Sequence, residues 1–208
     1  KDAGAGLIYV CNPNNPTGVP VPRSEIEWLY ANKPAGAILL VDEAYIHFSG
    51  ESSMADWVAK DKDIVILRTF SKLYGMAGLR AGFAFGLPDL LEKIRGMNSG
   101  ALPVTGMAAA MASLKSPKLV PERRKINADI RDDVLGWLDG KGYSFTPSKS
   151  NKFMVDVKRP ADEFIKAMTK EKVYVGRKWP AWPQHVRVSI GTAAEMEKFK
   201  AAFTKVMA

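Results

Sequence analysis

Four short apolar runs punctuate the first hundred residues, and three of them stop at conspicuously polar residues. Leu7–Cys11 stops at Asn12-Pro13, Ala37–Val41 at Asp42-Glu43 and Ile64–Leu67 at Arg68-Thr69, while Ala81–Phe85 is the fourth. Short continuous apolar runs bounded by turn residues read as strands buried on both faces. Between the first two, Ser24-Glu25-Ile26-Glu27 fits a capping box opening a helix, with Ile26, Leu29 and Tyr30 on one face. That helix should stop before Lys33-Pro34, because the residue ahead of a proline disfavours helical backbone. Buried strands separated by helices require a mostly parallel sheet, so the first half reads as α/β.

From about Ala101 the texture changes. A small-residue helix over Met107–Leu114 leads past Pro117 into a longer one, where Ile126, Ile130, Val134 and Leu138 recur at every fourth position and Gly140 or Gly142 ends the run. Phe153–Val157 alternates like a half-buried strand, with Phe153, Val155 and Val157 on one side. Asp162 is placed to cap a helix through Met168, and Val173–Val175 and Val186–Ile190 read as short strands. Thr192-Ala-Ala-Glu195 is a second capping box, opening a helix whose Met196, Phe199 and Phe203 face inward. The expected division is 1–100 for part of a sheet domain and 101–208 for a small α+β domain.

Composition narrows the classes. The chain has 208 residues, 47% apolar and 25% charged, which is ordinary for a globular protein with a proper core. No apolar run approaches the roughly 18 residues of a membrane span. The single cysteine, Cys11, excludes an internal disulfide and reads as a buried structural thiol between apolar neighbours. A net charge of +8 raises nucleic acid as a partner, but the basic residues are interleaved with acids, as in Lys60-Asp61-Lys62-Asp63, so the expectation is a solvated basic surface and no nucleic acid. His47 and His185 lack neighbours at ligand spacing, so no metal site is expected. The opening, Lys1-Asp2-Ala3-Gly4-Ala5-Gly6, has neither an initiating Met nor a signal-like segment, and reads as the start of a fragment. The cytoplasm is the default compartment, with export left open because the native start is expected to be missing.

The candidate chemistry lies where the strands end. Asn12-Pro13-Asn14-Asn15-Pro16-Thr17-Gly18, Asp42-Glu43-Ala44-Tyr45 and Thr69-Phe70-Ser71-Lys72, with Arg80 eight residues on, all follow strand C-termini. That edge of an open parallel sheet is where ligands bind. Alone, each cluster has a bland reading as a turn, a cap or a surface lysine; together on one edge they imply a site.

The ordered set N-P-N-N-P-T-G, V-D-E-A-Y, S-K followed by G-L-R, and finally R-V-S-I-G resembles the class I/II, fold-type I aminotransferases, which depend on pyridoxal phosphate. The nearest branch is the histidinol-phosphate aminotransferases, and the resemblance runs from Tyr9 to the last helix. It implies that Lys72 forms the Schiff base with pyridoxal 5'-phosphate and later serves as a general base. Asp42 would pair with the pyridine nitrogen and keep it protonated. Tyr45 and Asn15 would donate to the cofactor's phenolic oxygen. Ser71 and Arg80 would bind its phosphate, with Thr69 as an extra contact. Arg187 would hold the substrate α-carboxylate, and Asn151 would line the site. Arg177 either meets a distal anion of the substrate or is structural. Trp179-Pro180-Ala181-Trp182-Pro183 either walls the substrate pocket or is a stiff apolar loop.

The resemblance further implies a homodimeric parent acting on small amino-acid and 2-oxo-acid substrates. Family members are longer, the missing part preceding Tyr9, so the fragment alone is expected to be a poor or inactive enzyme. A pyridoxal-phosphate-dependent decarboxylase of amino-acid phosphates would keep the same lysine, aspartate, tyrosine and arginine, and an aminotransferase-like binding fragment is a second alternative. Thr69-Phe70-Ser71-Lys72 fits a hydrolase S-x-x-K motif only loosely, and its usual K-T-G companion is missing. Gly4-Ala5-Gly6 precedes a strand instead of following one, unlike a nucleotide-binding loop.

Overall fold

A computed structural model of the chain describes residues 4–60, 62–97 and 100–208. Lys1-Asp2-Ala3 of the opening and Asp61 of the mixed-charge run lie outside the described residues. The chain divides into two compact units, one running to Asn14 and over Pro20–Arg124, the other comprising Asn15–Val19 and Lys125–Ala208. The division thus falls between Arg124 and Lys125, inside a helix, and not near residue 100 where the sequence changes texture.

The first unit holds, in chain order, β1 (Leu7–Cys11), α1 (Arg23–Asn32), β2 (Ile38–Asp42), the short α2 (Ile46–Ser49) and α3 (Ala55–Val58), β3 (Ile64–Thr69), β4 (Gly82–Phe85), α4 (Pro88–Arg95), α5 (Val104–Leu114) and the start of α6 (Leu119–Gly140). The sheet order is β1-β2-β3-β4. β1, β2 and β3 run parallel because helical connections carry the chain back between them. β3 and β4 are joined by a loop with only a single 3₁₀ turn, Ala77–Leu79, and pair antiparallel. Val10, Leu39, Val41, Ile64 and Ile66 form the core against Ile26 of α1, with Leu29 and Tyr30 packed beside it.

The start of α1 differs from the expected capping box. Pro22 occupies the N-cap and makes no side-chain cap, and its carbonyl accepts from the N–H groups of Glu25 and Ile26. Proline's fixed φ, here −55°, sets the chain for the helix, so Ser24 falls inside the first turn. Arg23 ties that turn to Glu27 and to Asp56.

The second unit holds the rest of α6, then β5 (Lys152–Asp156), α7 (Ala161–Lys170), β6 (Lys178–Trp179), β7 (Trp182–Ser189) and α8 (Ala193–Met207), with an antiparallel sheet ordered β5-β7-β6. Its core joins Phe153, Val155 and Val157 to Val134, Leu138, Phe164, Met168, Phe199 and Phe203. Both hydrogen bonds of the Thr192–Glu195 capping box are present at the head of α8.

Four expectations are corrected here. Ile126 is exposed, because the inner face of α6 runs through Asn127, Arg131, Val134 and Leu138; the Asn127 amide donates to the Ser150 carbonyl at 3.2 Å. β5 is buried on both faces, Met154 as fully as Phe153. Val173–Val175 packs on the core without joining the sheet, whose short strand starts later, at Lys178. Asp162 is no cap: Pro160 holds that place, and the Asp162 carboxylate pairs with Lys178.

Candidate active site

Asp42 is the last residue of β2, and both oxygens of its carboxylate are held. Oδ1 accepts from the Ala44 N–H at 3.0 Å and Oδ2 from the Tyr9 hydroxyl at 2.8 Å. An ionised carboxylate offers about four acceptor positions, so half remain for a ligand. Tyr9 was not foreseen from the sequence. The signal was present in strand alternation: Tyr9 shares a face with Cys11, and Cys11 is registered against Asp42.

Asp42, Thr69, Ser71 and Arg80 line one cavity of about 430 Å³ in the first unit. The Thr69 hydroxyl accepts from the Ser71 N–H at 3.0 Å and donates to the Ala81 carbonyl at 3.4 Å. It therefore shapes the loop that presents Ser71. Arg80 is exposed and left-handed, with φ 54° and ψ 45°, and its Nη1 donates to the Ala77 carbonyl at 2.8 Å. A non-glycine residue in that region carries strain, which the surroundings must hold. Gly106 of α5 contributes to holding it. A Cβ there would stand 2.5 Å from the Leu79 carbonyl oxygen, so only glycine lets the helix lie against the residue preceding Arg80.

Lys72 follows Ser71 and is exposed; its Nζ lies 5.6 Å from the centroid of the Tyr45 ring. Tyr45 is buried with Phe48 and Leu73. Neither Lys72 nor Tyr45 lines the cavity of Asp42 and Arg80. Beside Asp42, Glu43 is fully buried and receives Arg68, the Ser53 hydroxyl and the Met54 N–H, at 2.8–3.0 Å. Arg68 belongs to β3, so this ion pair clamps the end of β2 to the strand that leads into Thr69.

In the second unit, Arg187 of β7 donates from Nη1 to Oδ1 of Asn15 at 3.0 Å. With its oxygen turned to Arg187, the Asn15 amide keeps its NH₂ group as a donor. Arg187 Nε is buried with no hydrogen-bond partner among the described residues and lies beside Gly176, where a Cβ would come within 3.3 Å of it and 2.7 Å of the Arg187 carbonyl. The ring of Trp179 lies beneath two guanidinium groups, 5.4 Å from that of Arg187 and 5.1 Å from that of Arg177. Trp179 pairs with Trp182 at the turn between β6 and β7, so the tryptophan-proline segment is a hairpin whose first indole supports both arginines. Asn151 precedes β5, accepts from the Ser150 hydroxyl at 3.4 Å, and gives its carbonyl to the Ile190 N–H.

The architecture is that of the fold-type I aminotransferases. A solved structure from Erwinia carotovora atroseptica, provisionally named a histidinol-phosphate aminotransferase, superposes with a TM-score of 0.93 at 30% identity, over 98% of this chain and 60% of its own. Histidinol-phosphate aminotransferase from Sinorhizobium meliloti, solved in complex with pyridoxal-5'-phosphate, superposes with a TM-score of 0.85 at 25% identity, over 98% of this chain and 57% of its own. The chain belongs to the family described as aminotransferase class I and II, which matches residues 1–203. Among curated relatives, histidinol-phosphate aminotransferase 2 of Methylococcus capsulatus is 34% identical over 99% of this chain, and that of Haemophilus influenzae 36% over 97%. The chain spans 57% and 56% of the length of these two relatives.

Proposed function

We propose that the protein carrying this chain is a pyridoxal-phosphate-dependent aminotransferase that passes an amino group from an amino-acid-like donor to a 2-oxo acid, with histidinol phosphate as the favoured donor. The observation that carries the reading is that Asp42, Ser71 and Arg80 line one cavity, with Lys72 next to Ser71 in the chain. Its donor set fits the cofactor: a carboxylate for a protonated ring nitrogen, and a hydroxyl with a guanidinium for a phosphate. When bound, the cofactor supplies an electron sink for negative charge at the substrate's α-carbon.

The chain's own residues do the rest. Lys72 Nζ would hold the cofactor covalently and, once freed by the incoming amine, would move the proton at the α-carbon. Asp42 would keep a proton on the ring nitrogen. The Tyr45 hydroxyl and the Asn15 NH₂ would donate to the cofactor's phenolic oxygen, and Thr69 sets the Ser71 loop. Because Nε of Arg187 is buried against Gly176, the terminal nitrogens are the edge it offers to a carboxylate. Arg177, supported by the same indole, serves a distal anion such as a phosphate. Asn151 contributes to the substrate side. A homodimer in the cytoplasm belongs to the same reading and rests on the family resemblance; no helix among the described residues is long and apolar enough to cross a membrane.

The test is a visible spectrum after adding pyridoxal phosphate, then borohydride reduction and peptide mapping. A new band with the label on Lys72 is expected, and Lys72→Ala should lose both. A label spread over other lysines would sink the proposal. Product analysis then separates 2-oxo acid formation from the carbon dioxide release of a decarboxylase.

A further inference from the structure

Asp42 is oriented by two neutral donors and by no cation. The Ala44 N–H takes Oδ1, the Tyr9 hydroxyl takes Oδ2, and among the described residues no ion pair involves Asp42. Neighbouring Glu43, by contrast, is paired with Arg68 and buried. A fully buried carboxylate is ordinarily paired as Glu43 is. Asp42 is only partly buried, and its two donors leave lone pairs open to a ligand.

The position of Tyr9 points the same way. The residue is 56% exposed in this chain, so packing in the core described above does not explain it. β1 stands at one end of the sheet among the described residues, and Tyr9 sits two residues before Cys11, the register partner of Asp42, on the same face. From there the ring reaches along the strand and places its hydroxyl on the carboxylate. Loss of water around the phenol and then the bond to Asp42 push its ionisation well above the ordinary range, so it stays a donor throughout physiological pH.

We propose that Tyr9 is a positioning residue for Asp42: with the Ala44 N–H it fixes the plane of the carboxylate, so that the remaining lone pairs meet the protonated ring nitrogen of the bound cofactor. This rests on the reading of Asp42 given under the proposed function. No proton leaves Tyr9 and no bond to it forms; its task is to hold an orientation that no cation enforces.

The experiment compares wild type, Tyr9→Phe, Asp42→Asn and the double variant in the intact protein that carries this chain. Tyr9→Phe removes one oxygen from an exposed ring and should leave the unfolding midpoint of the cofactor-free protein unchanged. It should weaken pyridoxal phosphate by about tenfold, the size of one hydrogen bond to a charged group. It should also shift the pH midpoint of the visible band, while label still reaches Lys72. In the Asp42→Asn background the same change should have no further effect on either quantity. If wild type labels at Lys72 but Tyr9→Phe binds within about twofold with the same pH midpoint, the inference is overturned and the proposed function stands. An additive effect in the Asp42→Asn background overturns it equally. If wild type itself fails to label at Lys72, the proposed function falls and takes this inference with it.

Discussion

Arg187 donates through Nη1 to the amide oxygen of Asn15 at 3.0 Å, joining residues 172 positions apart in the chain. The bond fixes two groups at once. It turns the Asn15 NH₂ outward as a donor, and it leaves the guanidinium, already packed on Trp179 and Gly176, with little freedom to rotate.

Arg187→Lys should therefore be far from conservative. An ammonium keeps the charge but loses the planar fork, the stack on Trp179 and the hydrogen bond in its present geometry. The KM for the amino donor should rise by about a hundredfold, the scale of a lost bidentate charged pair, with kcat changed much less. Steady-state kinetics with saturating cofactor decides this; an unchanged KM would remove Arg187 from the substrate.

Gly106→Ala sets two effects against each other. Helix propensity alone favours alanine by about 1 kcal/mol. The new Cβ, however, would stand 2.5 Å from the Leu79 carbonyl, a backbone atom that cannot swing aside. Overpacking of this kind costs about 1–3 kcal/mol, so the variant should be less stable in denaturant unfolding. Because Leu79 precedes Arg80, its affinity for pyridoxal phosphate should drop as well.

Arg68→Met would strand Glu43, whose side chain is 1% exposed, with only the Ser53 hydroxyl and the Met54 N–H as donors. Removing one partner of a buried pair costs about 3–5 kcal/mol, and the two surviving donors argue for the lower end. Pairing the change with Glu43→Gln should recover part of the loss in urea unfolding. A single variant as stable as wild type would mean that the clamp contributes nothing.

His47 gives a pH signature. Burial first, then the charges of Arg68 and Arg124, lower its pKa from the ordinary 6.5 to about 4. Between those values the unfolded chain binds a proton that the folded chain refuses, so stability rises with pH. The contribution of His47 is fully present above pH 6.5 and is lost as pH falls toward 4. Asp56, held down to about 2 by Arg23, loses its contribution only below the ordinary 3.8, so the two windows separate. His47→Asn should flatten the unfolding midpoint between pH 6.5 and 4 and leave the acid limb in place.

The strands of the first unit were legible because burial on both faces leaves unbroken apolar runs, and those runs end where Asp42, Thr69 and Ser71 stand. The capping box of α8 was legible because both partners lie within four residues. What escaped was set by neighbours distant in sequence. Tyr9 reads as one more apolar position until Asp42, 33 residues later, is seen beside it. Ile126 fits the stripe of every fourth position, yet the helix turns Asn127 and Arg131 inward instead. Val173 and Val175 have strand-like composition, but the Gly176 N–H is tied to the Arg187 carbonyl at 2.8 Å and sheet pairing begins only beyond it. In sequence Trp179 reads as either a pocket wall or part of a stiff apolar loop, because the two arginines it supports are adjacent to it only in space.

The short stretch Asn15–Val19 belongs with residues made much later. The Thr17 carbonyl accepts from Thr146 across 129 positions, the Gly18 carbonyl from Lys149, and Asn15 receives Arg187. On the ribosome these five residues emerge more than a hundred residues ahead of their partners. The second unit is therefore not a segment that could be cut out at Lys125 and expressed alone without losing a piece of itself. A biologist moving this unit between proteins would have to transplant two stretches of sequence, and a substitution near residue 16 would register as a fault in a part of the protein encoded more than a hundred codons downstream.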